Sequence, residues 1–439
     1  MALPQNDKAI FYHPLDTAAE SLKSRTWAET TATFSPAKVS SGLFGSPSAA
    51  TLAHVPDVAT FGAENEYLTG TQEPLVGMAM LTAAKFVVCY SDATTGLSRI
   101  WTVSGTSITY GAESVFESAS SGTMDPIDVA SLSSTSVAIV YQVNSPAARY
   151  VKAGTVTGAD VTWGTGISYF GGTTSRNSIS SLDSTKFVIV YRRDSTTSMA
   201  ARVGTISGSS VTIGAQKVGT SSGVDDTFDV VGLDSTKFVV LWHSNLSGGN
   251  YWGKTGTVTG TVITFGAAAS FSTATGSAAA YIASDALSST SILIAYRDGA
   301  DFGRGTAKIA TVSGSTITYG VETEFLTADA TNIDVAAISS TTAVVTYRKE
   351  TGGDCATKIA TVSGIAITFA AETVFVASNG GVDVTNKAAV MDATTFVVAY
   401  RDISDLNHGT AKVGSTDPYG TAVSSSRVAF AGWMRKPSA

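Results

Sequence analysis

One segment recurs seven times along the chain, and the recurrence limits the fold more than any other feature. Leu182-Asp183-Ser184-Thr185-Lys186-Phe187-Val188-Ile189-Val190-Tyr191 returns as Leu233-Asp234-Ser235-Thr236-Lys237-Phe238-Val239-Val240-Leu241-Trp242, and looser copies end at Tyr90, Tyr141, Tyr296, Tyr347 and Tyr400. Successive aromatic anchors lie 51, 50, 51, 54, 51 and 53 residues apart. After each of the first six comes a Ser/Thr-Gly pair, as in Val103-Ser104-Gly105 and Val312-Ser313-Gly314, and then a short β-forming run such as Ile108-Thr109-Tyr110-Gly111 or Ile317-Thr318-Tyr319-Gly320. A unit of about fifty residues cannot bury its own apolar faces, so the copies must stack on one another.

Each unit reads as four short antiparallel strands. The first leads into the Leu, a tight polar turn follows, and the second is the continuous apolar run to the aromatic, which implies burial on both faces. The third runs to the Ser-Gly turn, and the fourth is the short run after it. No segment has helical periodicity long enough for crossovers. The expected fold is therefore all-β: a seven-bladed β-propeller of four-stranded blades. The seventh unit stops after three strands near Ala411-Lys412-Val413-Gly414, and Ala59-Thr60-Phe61-Gly62-Ala63-Glu64 mirrors Ile108-Thr109-Tyr110-Gly111-Ala112-Glu113. An N-terminal strand is thus expected to complete the last blade, closing the ring and covering two open strand edges. The expected organisation is an N-terminal attachment or stem segment over residues 1–54, the propeller over 55–414, and a C-terminal strand in 415–439 that joins the stem.

Composition narrows the function. A formal net charge of -7 with no basic stripe argues against a nucleic-acid partner. Low charge beside 44% hydrophobic residues argues against disorder. No run approaches membrane-spanning length, so no membrane insertion is expected. The N-terminus lacks a signal-peptide pattern, so a virion or extracellular location would be reached without a conventional signal. Cys89 sits in an apolar run and Cys355 in a polar loop of a different blade, so no disulfide is expected.

No chemistry-bearing motif stands out. His13, His54, His243 and His408 lack metal-ligand spacing, and no nucleophile elbow, phosphate loop or sialidase-type Ser-x-Asp-x-Gly-x-x-Trp box is present. The chain is therefore expected to have no catalytic residues, metal or cofactor, and not to be an enzyme. His243 and His408 are expected on a rim. Asp128, Asp229 and Asp334 share a place in three first strands, which line the central channel of a propeller; they either bond neighbouring backbone, the stronger reading, or ring a cation. Arg192, Arg297, Arg348 and Arg401 follow the anchor aromatic with Asp194, Asp298 and Asp402 close behind three of them, which suggests structural ion pairs between blades. The loops joining strands two and three, and one unit to the next, are longer and more varied than the tight turns, and recognition usually lives in such loops. The richest loop offers His243, Asn245, Asn250, Tyr251 and Trp252 as binding candidates; Tyr251 and Trp252 either stack on a ligand or pack inward.

Two resemblances add to this reading. Lys8-Ala9-Ile10-Phe11-Tyr12-His13-Pro14-Leu15-Asp16, Phe34-Ser35-Pro36-Ala37-Lys38-Val39-Ser40-Ser41-Gly42-Leu43 and Phe430-Ala431-Gly432-Trp433-Met434-Arg435-Lys436-Pro437-Ser438 resemble strands of a concanavalin-like (laminin-G-type) jelly roll. The small-residue-rich repeat with a short flanking module resembles bacteriophage tail, fibre or decoration proteins. That resemblance implies a structural or adhesive virion protein in a multimeric assembly, contacting other virion or surface proteins through its terminal strands, with a host-surface glycan as a further partner. The alternatives are a carbohydrate-binding, lectin-like module and a polysaccharide-degrading enzyme.

Overall fold

The computed structural model describes residues 58–416 apart from 69–76, 93–94, 119–125, 145–146, 173–175, 194–195, 221–222, 245–248, 273–280, 378–385 and 403–407. The jelly-roll-like segments and the proposed stem lie outside the described residues.

The described chain is almost wholly antiparallel β-structure, a β-propeller; the helical element among the described residues is one 3-10 turn, Gly299–Asp301. Among the described residues strand pairing gives five five-stranded sheets and one nine-stranded sheet, and the repeat units within them are called blades 1 to 7 here. Blade 1 shows the pattern: Gly77–Thr82, Lys85–Asp92, Thr95–Ser104 and Ser107–Tyr110 pair in that order from the inside outward. Blades 5 and 6 share a single nine-stranded sheet because Thr323–Ser339 runs unbroken from the outer edge of one to the inner edge of the next. The innermost strands neighbour each other in order, and that of blade 7, Asn386–Val390, returns to that of blade 1.

The second strands carry the core. Phe86 to Tyr90, Val137 to Tyr141 and Phe187 to Tyr191 are wholly buried at every residue, as expected for runs sandwiched between neighbours. Apolar clusters accordingly join blades: Val188, Val190 and Met199 pack with Val230, Val240 and Val258. Closure follows the same rule, with Val397, Ala399, Ala411 and Val413 of blade 7 in one cluster with the core of blades 1 and 2. The missing outer strand of blade 7 is Thr60–Phe61, paired with His408–Ser415. Phe61 packs on Phe375 of blade 6 and Phe396 of blade 7, at 5.4 and 5.6 Å between ring centres.

The outer strand differs from the expectation of one short strand per blade. It comes in two pieces: Ser107–Tyr110 pairs with the end of the third strand and Ser114–Glu117 with its start. The break falls at the Gly that closes the fourth-strand motif. A Cβ on Gly111 would lie 2.0 Å from the Ala159 carbonyl oxygen in the turn of blade 2, and Gly164 stands in the same relation to Ser209 of blade 3. The backbone of one blade thus nests under the turn of the next, and only glycine allows that approach.

Two residues beyond the break, a Glu or Gln accepts a hydrogen bond from the anchor tyrosine. The pairs are Tyr90–Glu113 (2.7 Å), Tyr191–Gln216 (2.9 Å), Tyr296–Glu322 (2.6 Å), Tyr347–Glu372 (2.7 Å) and Tyr400–Glu64 (3.1 Å). Blade 2 has Gly166 there, and Tyr141 bonds instead to Glu117 of blade 1 at 2.7 Å. Blade 4 has Ala268, and its anchor is Trp242, which has no hydroxyl to satisfy. Acceptor and donor are therefore lost together. Glu64 also takes an ion pair from Lys412 at 2.9 Å, so the N-terminal strand is held by charge as well as by its ladder.

Candidate functional site

Three regions hold the polar residues singled out by the sequence: the axial channel, the loop face of blade 4 and the loop face of blades 5 and 6.

In the channel, side chains on the first strand of one blade hold the next. Asp128 accepts from the Ile179 amide (3.0 Å), Asp285 from the Ala337 amide (2.8 Å) and Asp334 from the Ala388 amide (2.7 Å). Asp229 accepts from the Ser284 hydroxyl at 2.7 Å, and Ser180 accepts from the Gly232 amide at 2.9 Å. The aspartates are therefore inter-blade struts, with Asp285 a fourth that the sequence pattern did not pick out. The cation among them belongs to the protein: Lys387 of blade 7 lies 3.0 Å from Asp334. The charge of Asp334, with Asp128 and Asp229 adding to it, holds that ammonium well above its ordinary pKa. Burial lifts Asp128, and lifts Asp229 and Asp285 to about 6, against the hydrogen bonds that favour their charged forms. Among the described residues no three His, Cys, Asp or Glu side chains converge as a metal cage.

On blade 4, His243 and Tyr251 face inward. Both are buried, their rings pack 4.9 Å apart, and the Tyr251 hydroxyl donates to the Arg297 carbonyl of blade 5 at 2.7 Å. Tyr251 also packs on Phe271 and Tyr296. Burial corrects the rim position expected for His243. Trp252 is half-buried against the core between blades 3 and 4, and Asn250 is half-buried at the start of the third strand. Asn245 lies outside the described residues. The five candidates thus do not form one open surface: two are spent on packing. His408 pairs with Glu66 of the N-terminal strand at 2.8 Å, and Cys355, expected in a loop, is a wholly buried residue opening a third strand. Both cysteines are free.

The loop face of blades 5 and 6 is where open polar chemistry gathers. Arg297, at the end of a second strand and followed directly by Asp298, was expected to take part in a structural ion pair between blades. It makes a two-point contact with Asp329 of the crossover strand, 2.6 Å at each nitrogen. The crossover strand sets Asp329 opposite Arg304 at the start of the third strand, which in turn pairs with the end of the second, and this brings the carboxylate to Arg297. The pairing raises the Arg297 pKa further. Asp298 serves its own turn, accepting from the Ala300 amide at 3.0 Å. Arg304 lies between two carboxylates, Asp301 at 2.8 Å and Glu324 at 3.0 Å, all three partly open to solvent. Across the blade boundary the Asp329 carbonyl accepts from the Glu350 amide at 3.0 Å, and Glu350 pairs with Arg348 at 2.8 Å. At the tip of the turn Phe302 is 88% exposed.

The sequence pointed to Arg297 and Arg348 but missed Asp329, Arg304, Glu324 and Phe302. The usable signal was Asp298-Gly299-Ala300-Asp301-Phe302-Gly303-Arg304, a second-to-third-strand loop unlike any other in the chain.

No family model matches the chain, and no curated protein resembles its sequence at a significant level. Solved structures do resemble its fold. The BP39L lectin from Burkholderia pseudomallei superposes with a TM-score of 0.55 at 11% identity, over 76% of this chain and 94% of the lectin. AofleA from Arthrobotrys oligospora gives 0.44 at 9% identity, over 73% and 94%. The Hadza microbial sialidase Hz136 gives 0.46 at 13% identity, over 68% and 67%. Only the first is similar enough to bear on the fold, and it agrees with a propeller.

Proposed function

We propose that the chain is a carbohydrate-binding module that holds a glycan on its loop face without cleaving it. The observation that carries this is the set of guanidinium–carboxylate pairs over blades 5 and 6. Adjacent hydroxyls of a sugar each donate and accept, and they are matched by fixed donors and acceptors set side by side. Arg304 between Asp301 and Glu324 offers this arrangement on a rigid scaffold, and Arg297–Asp329 buttresses it. The same scaffold is used by a lectin, BP39L, which favours this reading over that of a virion component.

Binding without turnover is the simpler chemistry for these groups. A glycosidase needs one carboxyl able to donate a proton near neutral pH. The carboxyls lifted by burial are engaged: Asp128, Asp229 and Asp285 hold strands together in the channel, and Asp298 accepts from the Ala300 amide of its own turn. Asp301, Glu324 and Asp329 are each held by arginine.

The test is retention of the intact chain on immobilised oligosaccharides, followed by analysis for shortened products. Retention lost in an Arg297→Ala/Arg304→Ala double variant, with no product from either protein, is the expected outcome. Shortened products, or retention indifferent to the double substitution, would contradict it.

A further inference from the structure

We infer that Phe302 is the stacking platform of the glycan site and that the site takes neutral rather than acidic sugars; this rests on the glycan-binding reading above. The first observation is how Phe302 is held. It is a non-glycine residue in the left-handed region, φ 55°, at the end of the turn Gly299–Asp301. Such a conformation is costly for an aromatic residue and persists only where its surroundings impose it. Here they do. The Asp298 side chain caps the turn, the Gly303 amide donates to the Asp298 carbonyl (2.9 Å), and the Ala330 amide donates to the Gly303 carbonyl (2.9 Å). Gly303 lies against the Arg297–Asp329 pair, where a Cβ would come within 2.5 Å of the Asp329 carboxylate.

The turn is therefore clamped at both ends while its aromatic ring points to water. A packing role would bury the ring; this one is the most exposed large apolar side chain among the described residues. Its neighbours in the chain, Asp301 and Arg304, are the polar groups that face hydroxyls. A pyranose has both features this surface answers: an apolar C–H face for an aromatic ring and equatorial hydroxyls for charged donors and acceptors.

The charge balance selects among sugars. Asp298, Asp301, Glu324 and Asp329 stand against Arg297 and Arg304, four carboxylates to two guanidiniums. Arg348 and Glu350 across the blade boundary add one charge of each sign and leave the excess unchanged; every one of these guanidiniums is already matched, so a sugar carboxylate would meet an excess of like charge.

The experiment measures binding of the full chain to methyl glycosides of glucose, galactose, mannose and N-acetylglucosamine displayed at equal density. Sialic acid and glucuronic acid conjugates are run alongside, for the natural chain, Phe302→Ala and Phe302→Trp. At least one neutral glycoside should bind tenfold or more tightly than either acid. Phe302→Ala should lose tenfold or more with an unchanged Tm, and Phe302→Trp should retain binding. If neutral sugars bind Phe302→Ala as well as the natural chain, the platform is wrong while the glycan-binding reading stands. If the acids bind as well as the neutral sugars, the assignment of class is wrong. If no sugar binds, both the inference and the reading beneath it fail.

Discussion

The axial channel and the rim of blades 5 and 6 are built from the same residue types and put them to opposite uses. In the channel, aspartates accept hydrogen bonds from the next blade and share one lysine, so their charge is consumed in holding the ring. On the rim, carboxylates pair with arginines and remain partly open to solvent. Carboxylates that brace backbone resist substitution through stability; those that face solvent do so, if at all, through what they bind. Repetition distinguishes them as well. A first-strand Asp recurs because every blade has a neighbour to hold, whereas the Asp301-Phe302-Gly303-Arg304 turn occurs once.

The contrast breaks first at Lys387. Lys387→Met would leave Asp334, Asp128 and Asp229 sharing the channel without a cation. Losing one partner of a fully buried pair costs about 3–5 kcal/mol; Lys387 keeps part of its side chain in channel water, so about 1–3 kcal/mol is expected, read as a lower denaturant midpoint. Equal stability would mean that the channel acids are not compensated by this residue.

The next effect is on pH dependence. Asp229 and Asp285 are lifted to about 6, above the ~4 of an unfolded chain, so folding favours their protonated forms. Their contribution is greatest below about pH 4 and is lost as pH rises through about 6. Thermal stability should therefore increase between pH 8 and pH 5. Asp229→Asn should raise stability at pH 8 by about 1–2 kcal/mol, by about half as much at pH 5 and hardly at all below pH 4, because the neutral amide replaces the disfavoured anion. A gain at pH 5 equal to that at pH 8 would assign the effect to something other than titration.

The smallest change in stability belongs to the rim. Arg304→Ala removes ion pairs open to solvent, which add little to stability. Melting should barely move while glycan retention falls at least tenfold. A large drop in Tm would make Arg304 another strut and erase the distinction between the two regions.

How far the sequence reveals each region follows from the same contrast. The ring was legible because its physics repeats: Phe187 to Tyr191 and its copies must be buried on both faces, and Ala59 to Glu64 fits the missing outer strand. The two-piece outer strand was not, since the approach of Gly111 to Ala159 depends on the spacing between blades rather than on either segment. Tyr251 shows the limit for the site. The chain left stacking on a ligand and packing inward both open, and pairing of Asn250–Thr259 turned it toward Tyr296 and Phe271. Asp329 could not be matched to Arg297 from the chain alone, because the partnership exists only once the crossover strand pairs with the third strand of blade 5.

The most direct test is amide hydrogen exchange on the full chain with and without saturating neutral oligosaccharide. The expected result is slowed exchange confined to residues 298–304 and 324–331, with no change in the channel strands Asp128–Ser133 and Ile282–Ser288 or in the tight turns on the opposite face. Protection centred on the channel or the tight turns, or no protection with ligand bound, would contradict placing recognition on the loop face of blades 5 and 6.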